Sequence, residues 1–235
     1  MNLKGSAFTK NRSEKLALTR KRVKMIFVAV INSYEDIIKE GVVFDYSKRG
    51  KVKQEDFLRN RFVDDYLEAE LSLKETNTEY FTTNKEVAEE YISHVDGELH
   101  NDPIDIHIVD KALKKAWGSK TKPYLAIECK RLGSISDYVG DTQKFTERDY
   151  TRLRLPFEGQ LGFIENKSYN HQIVSEKINE KLVESSTITT NKQLEHLFLK
   201  EGCKYSYVSE HERMDKTFMC VYHLFLDYTN IVISN

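Results

Sequence analysis

The sequence predicts a mixed α/β domain, with a central sheet flanked by helices and an N-terminal helical arm. Three observations carry this expectation. The chain has 235 residues, 40% hydrophobic and 31% charged, which is enough apolar content for a core. Two apolar runs near its middle, "PIDIHIV" and "YLAIECKRL", alternate or sustain apolar residues as strands do. Segments with helical spacing lie on both sides of them.

The elements follow in order. Residues 1–24 are basic, with Lys4, Lys10, Arg12, Lys15, Arg20, Lys21, Arg22 and Lys24 against Glu14 alone. Such a stretch is either a solvated arm or one that contacts phosphates. Val23, Ile26, Phe27, Val30, Ile31, Tyr34, Ile37 and Ile38 recur at helical spacing and predict a helix from about Ser13 to Glu40, stopped by Gly41. Residues 1–48 thus read as a basic arm and helix, and 49–235 as the main domain. "YSKRGKVKQ" is a polar break, and "QEDFLRNRFVDDYLEAEL" a helix. "TNKEVAEEYISHV" reads as a further helix with Thr83 as its N-cap. "HVDGELHNDP" is turn-rich. "PIDIHIV" and "KPYLAIECKRL" are strands, joined through "DKALKKAWGSKTK" as a basic loop or hairpin tip. "EGQLGFIEN" is another strand, "SEKINEKLVES" and "NKQLEHLFLK" are helices, and "KYSYVSEH" and "TFMCVYHLFLDY" close the chain as strands.

The net charge is −1, so no bulk positive excess points to a polyanion, although a local patch remains compatible with it. The three cysteines, Cys129, Cys203 and Cys220, are widely spaced and form no CxxC, which argues against a zinc site and a disulfide framework. The N-terminus has no apolar signal region, and Met25–Ile31 is far shorter than the roughly 20 residues of a membrane span. A cytoplasmic protein without membrane contact is expected.

Strand alternation puts Tyr124, Ala126, Glu128 and Lys130 on one face and Leu125, Ile127 and Cys129 on the other, toward the core. Pairing of the two strands as a hairpin would bring Asp105 to Glu128. Two carboxylates and the backbone carbonyl of Cys129 would suit Mg²⁺, which takes hard oxygen ligands and keeps several waters. Lys130 beside them would position or activate water, or stabilise charge in the transition state.

Asp105 after Pro103-Ile104, followed by Glu128-Cys129-Lys130 on the next strand, resembles the PD-(D/E)xK, or restriction-endonuclease-like, nuclease superfamily. The resemblance covers roughly residues 50–165. It implies a restriction-endonuclease-like core with a central mixed sheet. It also implies hydrolysis of phosphodiester bonds with Mg²⁺, for which Mn²⁺ substitutes, leaving a 5′-phosphate. DNA is expected ahead of RNA, and endonuclease action ahead of exonuclease. "YVGDTQKFTERDY" followed by "GQLGFIEN" is similar to small bacterial nucleases found near phage-defence elements. One departure is "NDPID", in which proline is not adjacent to Asp105 and Asp102 is a rival for its role. Many members add an acid from a preceding helix. Glu55 is preferred here over Asp56, Asp64, Asp65 and Glu98.

Arg131, Lys144 and Arg148, with Arg152 and Arg154, are candidates to line a phosphate track. His211 and Arg213 are further candidates for phosphate support. His223 and the Cys129 side chain read as core groups, and Trp117 as a packing residue or a base-stacking one. Ser209, His211 or His223 and Asp227 lack the GxSxG context of a nucleophile elbow. Control of activity is expected from homo-oligomerisation or a partner protein. The alternative is a non-catalytic subunit of the same fold that binds nucleic acid or a partner and assembles through its N-terminal helix.

Overall fold

The structure is a computed structural model. It describes residues 3–73, 80–117, 123–150 and 155–233; the side chains of residues 3–11 and of Lys115 lie outside that description. In chain order the elements begin with α1 (Leu3–Lys39), β1 (Phe44–Asp45) and α2 (Gln54–Phe62). Helix α2 continues through a π-helical turn, Val63–Leu67, into α3 (Glu68–Glu70). Next come β2 (Phe81–Ser93), β3 (Leu99–Asp110), α4 (Lys111–Trp117), β4 (Tyr124–Arg131), α5 (Ile135–Glu147) and β5 (Arg148–Tyr150). The chain closes with β6 (Phe157–Ile164), α6 (His171–Glu184), β7 (Thr189–His196), β8 (Ser206–Glu212), β9 (Phe218–Asp227) and β10 (Val232–Ile233).

The protein is α/β. Among the described residues, eight strands form one mixed sheet in the order β5-β2-β3-β4-β6-β9-β8-β7, and β1 pairs with β10 apart from it. Strands β4, β6 and β9 run parallel at its centre, and the strands on either side pair antiparallel. Helices cover both faces. Val23, Phe27, Val30 and Ile37 of α1 and Leu58 and Phe62 of α2 pack with Ile106, Ile127, Cys129 and Leu161. Tyr138 of α5 and Val174 and Ile178 of α6 pack on the opposite face against Ile164 and Phe225. The helical half of residues 1–48 therefore shares one core with residues 49–235.

"GQLG" in β6 shows how tightly the layers meet. A Cβ on Gly159 would lie 2.8 Å from both Ile127 Cγ1 and Phe27 Cζ, so helix α1 can sit this close only on glycine. A Cβ on Gly162 would lie 2.7 Å from Leu132 Cδ1 on the other face.

Two segments expected as helices are strands. Residues 81–93 form β2, with Thr83 inside it, in a ladder with β3 from Phe81–Asp110 to Ile92–Leu99. Its alternate residues Glu89, Tyr91 and Ser93 are buried while Glu90 and Ile92 are exposed. The long hairpin outweighs the helix propensity of the Lys, Glu and Ala residues. "NKQLEH" forms most of β7, where the edge of β8 takes up its backbone. Between β3 and β4, "KALKKAW" is helix α4, capped by Asp110, whose Oδ1 accepts from the backbone N of Ala112 at 2.8 Å. The rest of that connection, 118–122, lies outside the described residues. No helix among the described residues is long and apolar enough to cross a membrane.

Candidate functional site

Strand β4 changes character halfway along. Its ladder with β3 ends at Ile106–Ile127, while its ladder with β6 continues to Arg131–Phe163. Residues 128–131 thus have a strand neighbour on one side only, and the donors on the other edge need partners. Two carboxylates supply them. Asp105 Oδ2 accepts from Cys129 N at 2.8 Å, and Glu55 Oε2 accepts from Arg131 N at 2.8 Å. The N–H and C=O of a strand residue point to the same side, so the Cys129 carbonyl opens toward this edge as well.

The β2–β3 hairpin is distorted at the same level. Ladder pairs form at Lys85–Ile106 and Val87–Ile104, and the intervening position is skipped. There Glu86 adopts φ of 50°, a left-handed conformation unusual for a residue with a Cβ. The irregularity lies directly across from Asp105.

As expected from alternation, Leu125, Ile127 and Cys129 enter the core beneath α1 and α2, and Glu128 and Lys130 lie on the opposite face. One step beyond the last ladder pair, Ile106–Ile127, Asp105 faces Glu128. Burial, the Asp105 carboxylate and Asp141 beyond it push the Glu128 carboxyl well above the usual carboxylate range. Burial alone would lower the Lys130 pKa, but Asp141 Oδ2 at 3.2 Å and Glu55 Oε1 at 3.4 Å outweigh it and raise it. Lys130 is therefore a fixed positive charge at neutral pH, suited to binding an anion or orienting water rather than to taking up a proton.

Arg59 completes the cluster. It stands one turn after Glu55 on α2 and is 1% exposed. Its Nη1 lies 2.5 Å from Asp105 Oδ1 and 3.3 Å from Asp56 Oδ1, and its Nη2 donates to Glu86 Oε1 at 2.7 Å. Neither Arg59 nor Asp141 is among the residues the sequence singles out. For Arg59, the spacing of three residues after Asp56, with which it pairs, was the one available signal. Asp141 is buried on α5, where Lys144 also reaches it at 2.8 Å.

The structure brings Asp105, Glu128, Lys130 and Glu55 together, and leaves other candidates elsewhere. Asp102 accepts from Arg148 at 2.7 Å and from Tyr91 OH at 2.8 Å, so it does not take the place of Asp105. Asp64 pairs with Lys85 and Asp65 with Arg61. Arg131 is paired with Glu165 and Gln54 and stacked on the Tyr46 ring, and it also lines the groove beside Lys130; Arg148 is paired with Asp102 and stacked on Tyr91. Lys144 is half-exposed beside Asp141. Arg152 and Arg154 lie outside the described residues. His211 and Arg213 are buried, the latter against Glu158 at 3.1 Å, and neither is placed to meet a phosphate. Trp117 packs on the core and donates to Thr19 Oγ1.

A groove of about 720 Å³ opens beside Lys130 and Glu55. Its rim includes Arg49, Lys51 and Lys53, from the "YSKRGKVKQ" segment that reads as a simple polar break. A second groove, lined by Arg20, Lys21, Lys24 and Met25, runs along α1 and includes none of the four clustered residues.

Among the described residues, no group of three or more His, Cys, Asp or Glu side chains forms a ready metal cage. The residues at β4 nevertheless fit a divalent cation that keeps most of its waters. Asp105 and Glu128 face each other where the β3–β4 ladder ends, a backbone carbonyl opens beside them, and Glu55 is held at the same edge. No protein-family model, curated protein or solved structure matches the chain.

Proposed function

We propose that this protein is a metal-dependent nuclease with a restriction-endonuclease-like core, hydrolysing phosphodiester bonds in DNA in preference to RNA. The observation that carries the reading is the gathering of Asp105, Glu128, Lys130 and Glu55 on the stretch of β4 that β3 leaves uncovered. These residue types match the PD-(D/E)xK pattern, and their spatial order suits the chemistry.

Asp105 and Glu128 would hold the cation, with the Cys129 carbonyl and Glu55 at the same edge. When bound, Mg²⁺, or Mn²⁺ in its place, lowers the pKa of a coordinated water and offsets phosphate charge. Lys130, kept charged by Asp141 and Glu55, donates hydrogen bonds to a phosphate oxygen and to the attacking water as negative charge builds. Arg49, Lys51 and Lys53 attract the nucleic-acid backbone into the groove. Water adds to phosphorus as the P–O3′ bond breaks, leaving a 5′-phosphate and a 3′-hydroxyl. Restriction or anti-phage defence in a bacterial cytoplasm, under the control of oligomerisation or a partner protein, is the setting that the motif resemblance favours.

A second reading is a non-catalytic binding subunit of the same fold. It is favoured by the internal pairing of Asp105 with Arg59, Lys130 with Asp141 and Arg131 with Glu165. Cleavage of plasmid and single-stranded DNA with Mg²⁺ or Mn²⁺ separates the two. The nuclease reading expects cutting by the wild type and a loss of about a hundredfold or more in Lys130→Ala and Glu128→Ala. Equal behaviour of all three proteins would leave the binding subunit.

A further inference from the structure

We propose that Arg59 is an internal counter-cation for the Asp105–Glu128 carboxylate pair, and that it gives up Asp105 and is retained by Glu86 and Asp56, which it already touches, when a divalent cation is held there. The inference rests on the metal-site reading and adds a residue that the motif does not contain.

The first ground is position. Arg59 Nη1 lies 2.5 Å from Asp105 Oδ1, while Asp105 Oδ2 is already engaged by the backbone N of Cys129 at 2.8 Å. Both carboxylate oxygens thus carry a donor, and a cation on this carboxylate would lie close to the guanidinium. Two positive charges on one carboxylate repel strongly in so enclosed a place, because Arg59 is almost fully withdrawn from water. Guanidinium and metal compete for Asp105.

The second ground is a ready exit. Nη1 is 3.3 Å from Asp56 Oδ1, Nη2 already donates to Glu86 Oε1 at 2.7 Å, and Nε is 3.3 Å from Asn60 Oδ1. Arg59 can give up one partner and keep its charge compensated by the others, which avoids the large penalty of a buried unpaired cation. Glu86 is suited to receive it. Its side chain is 58% exposed, and its backbone is held at φ of 50° where the β2–β3 ladder skips a pair. An unusual conformation that turns this carboxylate toward Arg59 has a use if the arginine must be caught there.

The metal-free protein thus balances its own carboxylates, and metal affinity is reduced by the work of displacing Arg59. The two sides of the exchange have opposite effects. Arg59→Met removes the competitor, so Mn²⁺ should bind about tenfold more tightly, with a larger Mn²⁺-induced rise in melting temperature. Glu86→Gln weakens the receiving partner, so Mn²⁺ should bind several-fold more weakly.

The measurement is a calorimetric Mn²⁺ titration of the full metal-free chain, with melting curves with and without Mn²⁺. Arg59→Met binding no more tightly than wild type, or Glu86→Gln binding equally well, overturns the exchange. Glu86→Gln changes an exposed side chain and carries the test alone if Arg59→Met does not fold. If the wild type binds no Mn²⁺, the metal-site reading falls and this inference with it. If it binds and the variants do not differ from it, only the exchange falls.

Discussion

Two polar clusters lie on this sheet, one buried and one half-buried, and they are built on opposite terms. Between α5 and β7–β9, Tyr138 OH is 2.9 Å from His223 Nδ1, and Ser209 Oγ is 2.8 Å from His223 Nε2 and 2.7 Å from His211 Nε2. His211 Nδ1 then meets Thr190 Oγ1 at 3.2 Å. One direction of donation, from Tyr138 to Thr190, gives every nitrogen a partner with both imidazoles neutral. Burial lowers both histidine pKa values, that of His211 to about 4. At the end of β4, by contrast, Glu128 faces Asp105, the Asp105 charge is met by Arg59 from a helix, and the Glu128 carboxyl is pushed up by burial and by its acidic neighbours. The satisfied network asks for nothing further. The carboxylate pair carries a repulsion that an added cation would relieve at the cost of displacing Arg59, and that asymmetry makes it the candidate site of the two.

The largest effect expected from breaking the comparison is the hundredfold loss of cleavage in Lys130→Ala, with a fall in melting temperature that Lys144 moderates by still pairing with the buried Asp141. The reciprocal change, Ser209→Ala, removes the hydroxyl that joins two buried imidazoles. It should destabilise by about 1–3 kcal/mol in urea unfolding and leave Mn²⁺ affinity unaltered. A shift in metal affinity would show that the two clusters are not independent.

The smallest and most graded effect is with pH, and the two clusters act with opposite signs. The unfolded chain binds protons on His211 and His223 from the ordinary imidazole range near 6.5, and the native state does not until about 4 for His211. Their contribution is therefore fully present above 6.5 and is lost as pH falls toward 4. Glu128 has its native pKa raised above its ordinary 4.5. Its contribution in metal-free protein is present below 4.5 and is lost as pH rises. Urea midpoints across pH should show the histidine slope vanish in a Ser209→Ala, His211→Gln, His223→Gln variant and the Glu128 slope vanish in Glu128→Gln.

Much of the site was legible because it lies on strands. Alternation along "YLAIECKRL" places Glu128 and Lys130 opposite the core residues Ile127 and Cys129, and an apolar strand with an aspartate before it supplies Asp105. Glu55 stood out as an acid at the start of a helix. Arg59 and Asp141 were hidden because each is an ordinary charged residue in a helix, and only tertiary packing buries it. The β2 segment was misread for a related reason. Its Lys, Glu and Ala residues favour a helix locally, while what makes it a strand is the ladder with β3, whose pairs lie 7 residues apart at Ile92–Leu99 and about 29 apart at Phe81–Asp110. The basic rim Arg49, Lys51 and Lys53 is scattered through a short polar loop and acquires meaning only once that loop lies beside Lys130.

Because the carboxylate pair is the heart of the proposed site, the most direct measurement is the titration of the Glu128 carboxyl, tracked by carbon-detected NMR without and with Mg²⁺. In metal-free protein it should titrate well above the usual carboxylate range, and saturating Mg²⁺ should bring it down as the cation takes over from the proton. An ordinary titration of Glu128 that Mg²⁺ leaves unchanged would contradict the proposed metal site.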